Sequence, residues 1–191
     1  MRREDSDRYL QAVDRCLVPM GFKRRTRAQE WNFISDLDTT WVHLNFGLGL
    51  MNVSFGVRYR DLEKQWPDLP GAVYGTMQIM NSLFQPAKLY SAQDEPDGLV
   101  ADLVTTGLPA ARQLTNRKKV IELLSSPNAA DWPVPSFSHR VRLLPLLLDA
   151  AQKPEEALTA AVRFKTEALG RDQILPNYDV FFDAFRSKSA A

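Results

Sequence analysis

The chain has little of what secreted scaffolds, metal centres and binders of charged polymers are built from. One cysteine, Cys16, stands among 191 residues, so no internal disulfide can form. Its neighbours Val13 and Leu17 mark it as a small buried hydrophobe, and a reducing, cytoplasmic setting is expected. Histidine occurs twice, at His43 and His139. Zinc needs three or four soft or imidazole ligands at close spacing, so neither a metal site nor a metal cofactor is expected. An excess of one charge is also missing: 24 Lys and Arg stand against 23 Asp and Glu, a net charge of +1. No global field then draws the chain to nucleic acid or to an anionic membrane, and charge-driven binding has to be local. The longest apolar run, Leu143 to Leu148, is far too short to span a bilayer. The opening Met1-Arg2-Arg3-Glu4-Asp5-Ser6-Asp7 is not followed by the apolar core of a signal peptide.

Sequence motifs of catalysis are missing as well. There is no G-x-S-x-G, no H-E-x-x-H and no phosphate loop ending in Gly-Lys. Gly47-Leu48-Gly49 imitates the start of a dinucleotide fingerprint, but it lies in an apolar strand that leads to another strand instead of a helix N-terminus. Carboxylates are plentiful, yet no pair sits in an apolar setting that would separate their pKa values. A non-enzymatic protein without cofactor is the expectation.

What is present is a clear pattern of elements. Tyr9, Leu10, Val13, Cys16 and Leu17 recur at helical spacing behind an acidic cap ending at Asp7, and Pro19 with Gly21 closes the helix. From Trp31 to Tyr59 the period changes to two, with Ser35-Asp36-Leu37-Asp38-Thr39 as turn residues. This predicts a three-stranded antiparallel meander. Met51-Asn52 serves as its second turn, because Asn tolerates positive φ. That turn sets Leu50 against Val53, Leu48 against Phe55, Phe46 against Val57 and Leu44 against Tyr59, with all of these side chains on the core face. The other face then carries Trp41, His43, Asn45, Arg58 and Arg60 over a floor of Gly47, Gly49, Ser54 and Gly56. An even-length first turn adds Glu30 opposite His43 and Asn32 opposite Trp41.

The C-terminal half reads as mainly helical. Ala72 to Phe84, Thr115 to Leu124 and His139 to Ala151 are expected helices, the last interrupted by Pro145. Pro154-Glu155-Glu156 opens a further helix that Gly170 closes. Tyr178, Phe181, Phe182 and Phe185 lie at i, i+3, i+4 and i+7, an aromatic stripe on a terminal helix. The fold class is therefore α+β, in a single domain over 1–191 with a subdomain boundary near 126–136, where Pro127, Pro133 and Pro135 fall.

Two clusters are candidate surfaces. Lys23, Arg24, Arg25 and Arg27 crowd cations that could meet phosphates or an acidic protein, or could keep a solvated edge strand from aggregating. No aromatics are interleaved among them as a nucleic-acid reader requires, so a nucleic-acid partner is the second choice. Glu30, His43 and Arg60 could make an acid/base or anion site, or a cross-strand ion network. His139 beside Arg140 reads as a surface or capping residue. Trp31, Trp66 and Trp132 read as packing, whereas Trp41 falls on the polar face.

Gly21-Phe22-Lys23-Arg24-Arg25 after a helix, then Trp31-Asn32-Phe33 and an apolar strand, resembles the opening of an uncharacterised bacterial family of unknown function. Gly107-Leu108-Pro109 with Leu114-Thr115 is similar to it too, so the resemblance covers about residues 9 to 125. The chain departs from it at Asn45-Phe46-Gly47-Leu48, where the family leads one to expect a Gln and Ser pair. The resemblance implies an immunity-type or accessory role in a bacterial toxin system and carries over no catalytic residue. The expected function is binding of a protein partner, a toxin in the immunity form, through Trp41, His43, Asn45, Arg58 and Arg60 with Lys23, Arg25 and Arg27. The sequence leaves the oligomeric state open.

Overall fold

A computed structural model describes residues 3–47, 49–72, 89–128, 137–170 and 177–189, and among them the chain is α+β. It resolves into two compact units, one within Met1–Arg58 and Met77–Thr115, the other within Tyr59–Thr76 and Asn116–Ala191. The later change of unit falls upstream of the proline-containing tract at 126–136. Leu48, Trp132, Pro133, Pro135 and most of the helix expected over 72–84 lie outside the described residues.

In the first unit, α1 (Arg3–Leu17) begins earlier than the cap at Asp7 suggested. Glu4 and Asp5 fall in its first turn, where the positive helix end favours carboxylates. Tyr9, Leu10, Val13 and Leu17 are buried, and Gly21 leaves the helix region with φ +91°. A five-stranded antiparallel sheet follows in the order β1 (Lys23–Arg25), β2 (Glu30–Ile34), β3 (Asp38–Gly47), β4 (Leu50–Tyr59) and β5 (Tyr90–Ser91). The predicted meander is its centre, and β1 and β5 extend it at both edges. The first turn is even, as expected: Ser35 and Asp38 face each other across Asp36-Leu37, with the Ser35 amide donating to the Asp38 carbonyl at 2.9 Å.

The second turn lies between Gly47 and Leu50, not at Met51-Asn52, which sit inside β4. Gly49 adopts φ +78° there at no steric cost, and it outcompetes Asn52 for the turn. Both turns interrupt the strands by two residues, so side chains keep their expected faces while the cross-strand partners change. Val42, Leu44, Met51, Val53, Phe55 and Val57 are buried accordingly. Phe46, now beside the turn, is only half-buried.

After β5, α3 (Pro96–Asp102) runs into a π-helical turn (Leu103–Gly107) and then α4 (Leu108–Leu114). Pro109 has no amide to offer the preceding turn, so the hydrogen-bond ladder shifts there. A Cβ on Gly107 would lie 3.2 Å from the Phe55 ring, so this glycine lets the helical turn lie directly on β4. Tyr9 joins α1 to β5, its hydroxyl donating to the Ser91 carbonyl at 2.9 Å.

The second unit is helical: α2 (Arg60–Gln65), α5 (Arg117–Ser125), α6 (Phe137–Ala150), α7 (Pro154–Gly170) and α8 (Tyr178–Ser189). Asn116 caps α5, accepting from the Lys119 amide. From Arg140 to Leu148 every residue of α6 is buried, so it is covered on all sides. The helix runs through Pro145 without a break. The carbonyl that proline cannot satisfy belongs to Val141, and the Tyr178 hydroxyl stands 3.5 Å from it and 3.1 Å from that of Ala161. The expected stripe of α8 is buried at Tyr178, Phe181, Phe182 and Phe185.

Candidate functional site

Strand pairing places the outward side chains of the first unit in rows. Arg25, Glu30 and His43 are successive Cα partners across β1, β2 and β3, and so are Lys23, Asn32 and Trp41. Glu30 and Asn32 thus fall opposite His43 and Trp41 as the even turn required. The Glu30 carboxylate accepts from the Asn32 amide at 2.7 Å and lies 3.6 Å from the Arg25 guanidinium. It is engaged within its own side of the sheet, and among the described residues it does not orient the His43 ring as an acid/base pair would require.

The face is open at β1 and closed toward β4. Lys23 and Arg25 are exposed, Trp41, His43 and Asn45 are half-buried, and Ser54 and Gly56 are buried. The Asn45 amide donates to the Ser54 hydroxyl at 2.7 Å instead of lying opposite Arg58, a direct effect of the earlier turn. Arg58 is exposed on β4. Arg60 is not on the sheet: β4 ends at Tyr59, and Arg60 opens α2 in the other unit, so it does not join Glu30 and His43.

The basic segment is divided by strand alternation. Arg24 turns to the side opposite Lys23 and Arg25 and binds the Asp14 carboxylate of α1 at 2.5 Å, 5.4 Å from the centre of the Trp31 ring. The second oxygen of Asp14 accepts from the Trp31 indole at 2.7 Å. Trp31 is fully buried, so this carboxylate supplies the partner that its N–H needs. Arg27 lies in a 3₁₀ turn (Thr26–Ala28), exposed. The run of cations therefore presents Lys23, Arg25 and Arg27 outward and spends Arg24 on structure.

On the core side of the same sheet, beyond the helices, is an open groove of about 500 Å³ lined by Phe22, Phe33, Leu37, Thr40, Leu108 and Arg112 among others. Nothing in the sequence pattern points to it, because it forms where β2 and β3 outrun the cover given by α4.

Elsewhere, buried groups serve packing. Arg140 and Arg142, each under 5 % exposed, are held on α6. Arg140 donates to the Leu124 and Ser126 carbonyls at 2.6 and 3.1 Å and lies over the Phe164 ring; Arg142 donates to Ser138. His139, beside them, is half-buried, and burial together with the Arg142 charge depresses its pKa. Cys16 is half-buried, and that burial pushes its thiol up, away from thiolate chemistry. Among the described residues no group of His, Cys, Asp and Glu is arranged to hold a metal ion, and no helix is long and apolar enough to cross a membrane. Compared with family models, with curated proteins and with solved structures, the chain matches none.

Proposed function

We propose that the chain is a non-enzymatic protein-binding module that meets an acidic surface of its partner with the outward face of the sheet. The observation that carries this reading is the row geometry: Trp41 lies in line with exposed Lys23, and exposed Arg25 lies in the adjoining row. A large aromatic flanked by cations is the arrangement from which dominant anchors and charge steering are built. In its finer form the module is an immunity-type protein that neutralises a bacterial toxin, a reading supported by the resemblance over residues 9 to 125.

The test is calorimetric titration with the product of the adjacent gene, since an immunity protein is encoded beside its toxin. A stoichiometric complex is expected. Trp41→Ala should weaken it by roughly thirtyfold, the effect of losing an interface anchor. Lys23→Glu with Arg25→Glu should slow association and flatten its salt dependence. Complexes unchanged by both variants would remove the sheet face. Co-purifying nucleic acid, lost on reversing Lys23, Arg25 and Arg27, would transfer the function to nucleic-acid binding.

A further inference from the structure

The groove on the core side of the first unit is built like a binding site. One wall is the β2–β3 hairpin with Phe33, Asp36 and Leu37, the other is α4 with Leu108 and Arg112, and Phe22 and Thr40 lie between them. Phe33 and Leu37 are 41 % and 55 % exposed, and the neighbouring Ile34 is 57 % exposed, so three large apolar side chains stand in solvent within one hairpin. Exposed apolar clusters of this kind mark contact sites. The volume falls in the range of sites that enclose apolar groups.

Two features select the occupant. The backbone around the groove is already paired: β2 bonds to β1 and β3, and β3 to β2 and β4. No strand edge faces an incoming chain, so the occupant has to satisfy its own backbone, which a helix does. The walls also differ in charge. Asp36 is exposed on the hairpin and Arg112 on α4, and neither forms an ion pair among the described residues. We infer that the groove receives an amphipathic helix of a protein partner, its apolar stripe on Phe22, Phe33, Leu37 and Leu108, with basic residues flanking the stripe toward Asp36 and acidic residues toward Arg112. The inference rests on the protein-binding reading only for the identity of the partner. Sheet-face variants test that reading and leave the groove intact, so either can fail alone.

Three synthetic helical peptides share one Leu/Phe stripe at i, i+3, i+4 and i+7. One carries Lys on one flank and Glu on the other, one carries Lys on both, and one carries Glu on both. Fluorescence anisotropy against the full chain should rank the mixed peptide first, by roughly fivefold, the scale of an exposed ion pair. Asp36→Lys should transfer preference to the Glu peptide and Arg112→Glu to the Lys peptide. Leu37→Asp, at an exposed turn where folding is not at stake, should weaken all three by roughly tenfold or more. Equal affinities for the three peptides, indifference to Leu37→Asp, or no binding at millimolar peptide would each overturn the inference.

Discussion

Single side chains divide the basic segment more sharply than its composition does. Arg24 joins Asp14 and Trp31, so Arg24→Glu would place a carboxylate against a carboxylate and strip the partner from a buried network. A loss of about 2–4 kcal/mol is expected in denaturant unfolding, close to the effect of breaking a buried pair. Lys23→Glu with Arg25→Glu, on the outward face, should stay within about 0.5 kcal/mol of the parent. Equal losses in the two variants would show that the alternation is wrong. In the second unit Arg117 clasps Asp61 with both nitrogens, one bond being 2.5 Å, and lies over the Tyr59 ring. Burial alone would raise the Asp61 carboxyl, but the hydrogen bonds and charge of Arg117 outweigh it, and its pKa falls below the ordinary 3.8. Because the folded value is the depressed one, its stabilisation is complete above pH 3.8 and is lost as pH falls through the folded value. Asp61→Asn should therefore cost about 1.5–3 kcal/mol near neutrality. That difference should shrink in acid. A gap that stays constant down to full protonation would contradict the ion pair.

At the scale of elements, periodicity carried more than loop chemistry did. The stripe of α8 and the facing of Glu30 with His43 were legible, because spacing of 3.6 or 2 decides which side chains share a face whatever surrounds them. The second turn was not, because Asn52 and Gly49 both tolerate positive φ and both leave an apolar match between strands. The result is a testable contrast: Phe55, under Gly107, is core, while Phe46 stands at the turn. Phe55→Ala should cost about 3–5 kcal/mol, and Phe46→Ala less than half of that. Equal costs would restore the turn at Met51-Asn52. The groove was illegible for a different reason: it arises from how far α4 extends over β2 and β3, a tertiary property that no local pattern encodes. Strand alternation, by contrast, could have assigned Arg24 to the inner side once Trp31-Asn32-Phe33 was read as its neighbouring strand.

For the molecule as a whole, a nearly neutral charge hides cations placed for opposite purposes. Lys23, Arg25 and Arg27 face outward, whereas Arg140 and Arg142 lie inside a stretch of α6 whose neighbours are apolar. Burial of the latter was not legible, since a cation in an apolar run reads as a solvated position until its acceptors are known. Those of Arg140 are the carbonyls at the end of α5, which have no acceptor role within their own helix. One helix is thus terminated by a side chain of another, and this bears on how the second unit opens. A free C-terminal turn frays, and its amides exchange with solvent far ahead of global unfolding. Here the last turn of α5 cannot loosen while α6 keeps its place, so amide hydrogen exchange at Leu123 to Ser126 should follow the slow rate of α6. Arg140→Met keeps most of the packing and removes the donors. It should speed exchange in that turn roughly tenfold to a hundredfold, the equivalent of one charged hydrogen bond, and leave the centre of α6 slow. Exchange at the end of α5 that is already fast in the parent protein would show that the two helices open separately.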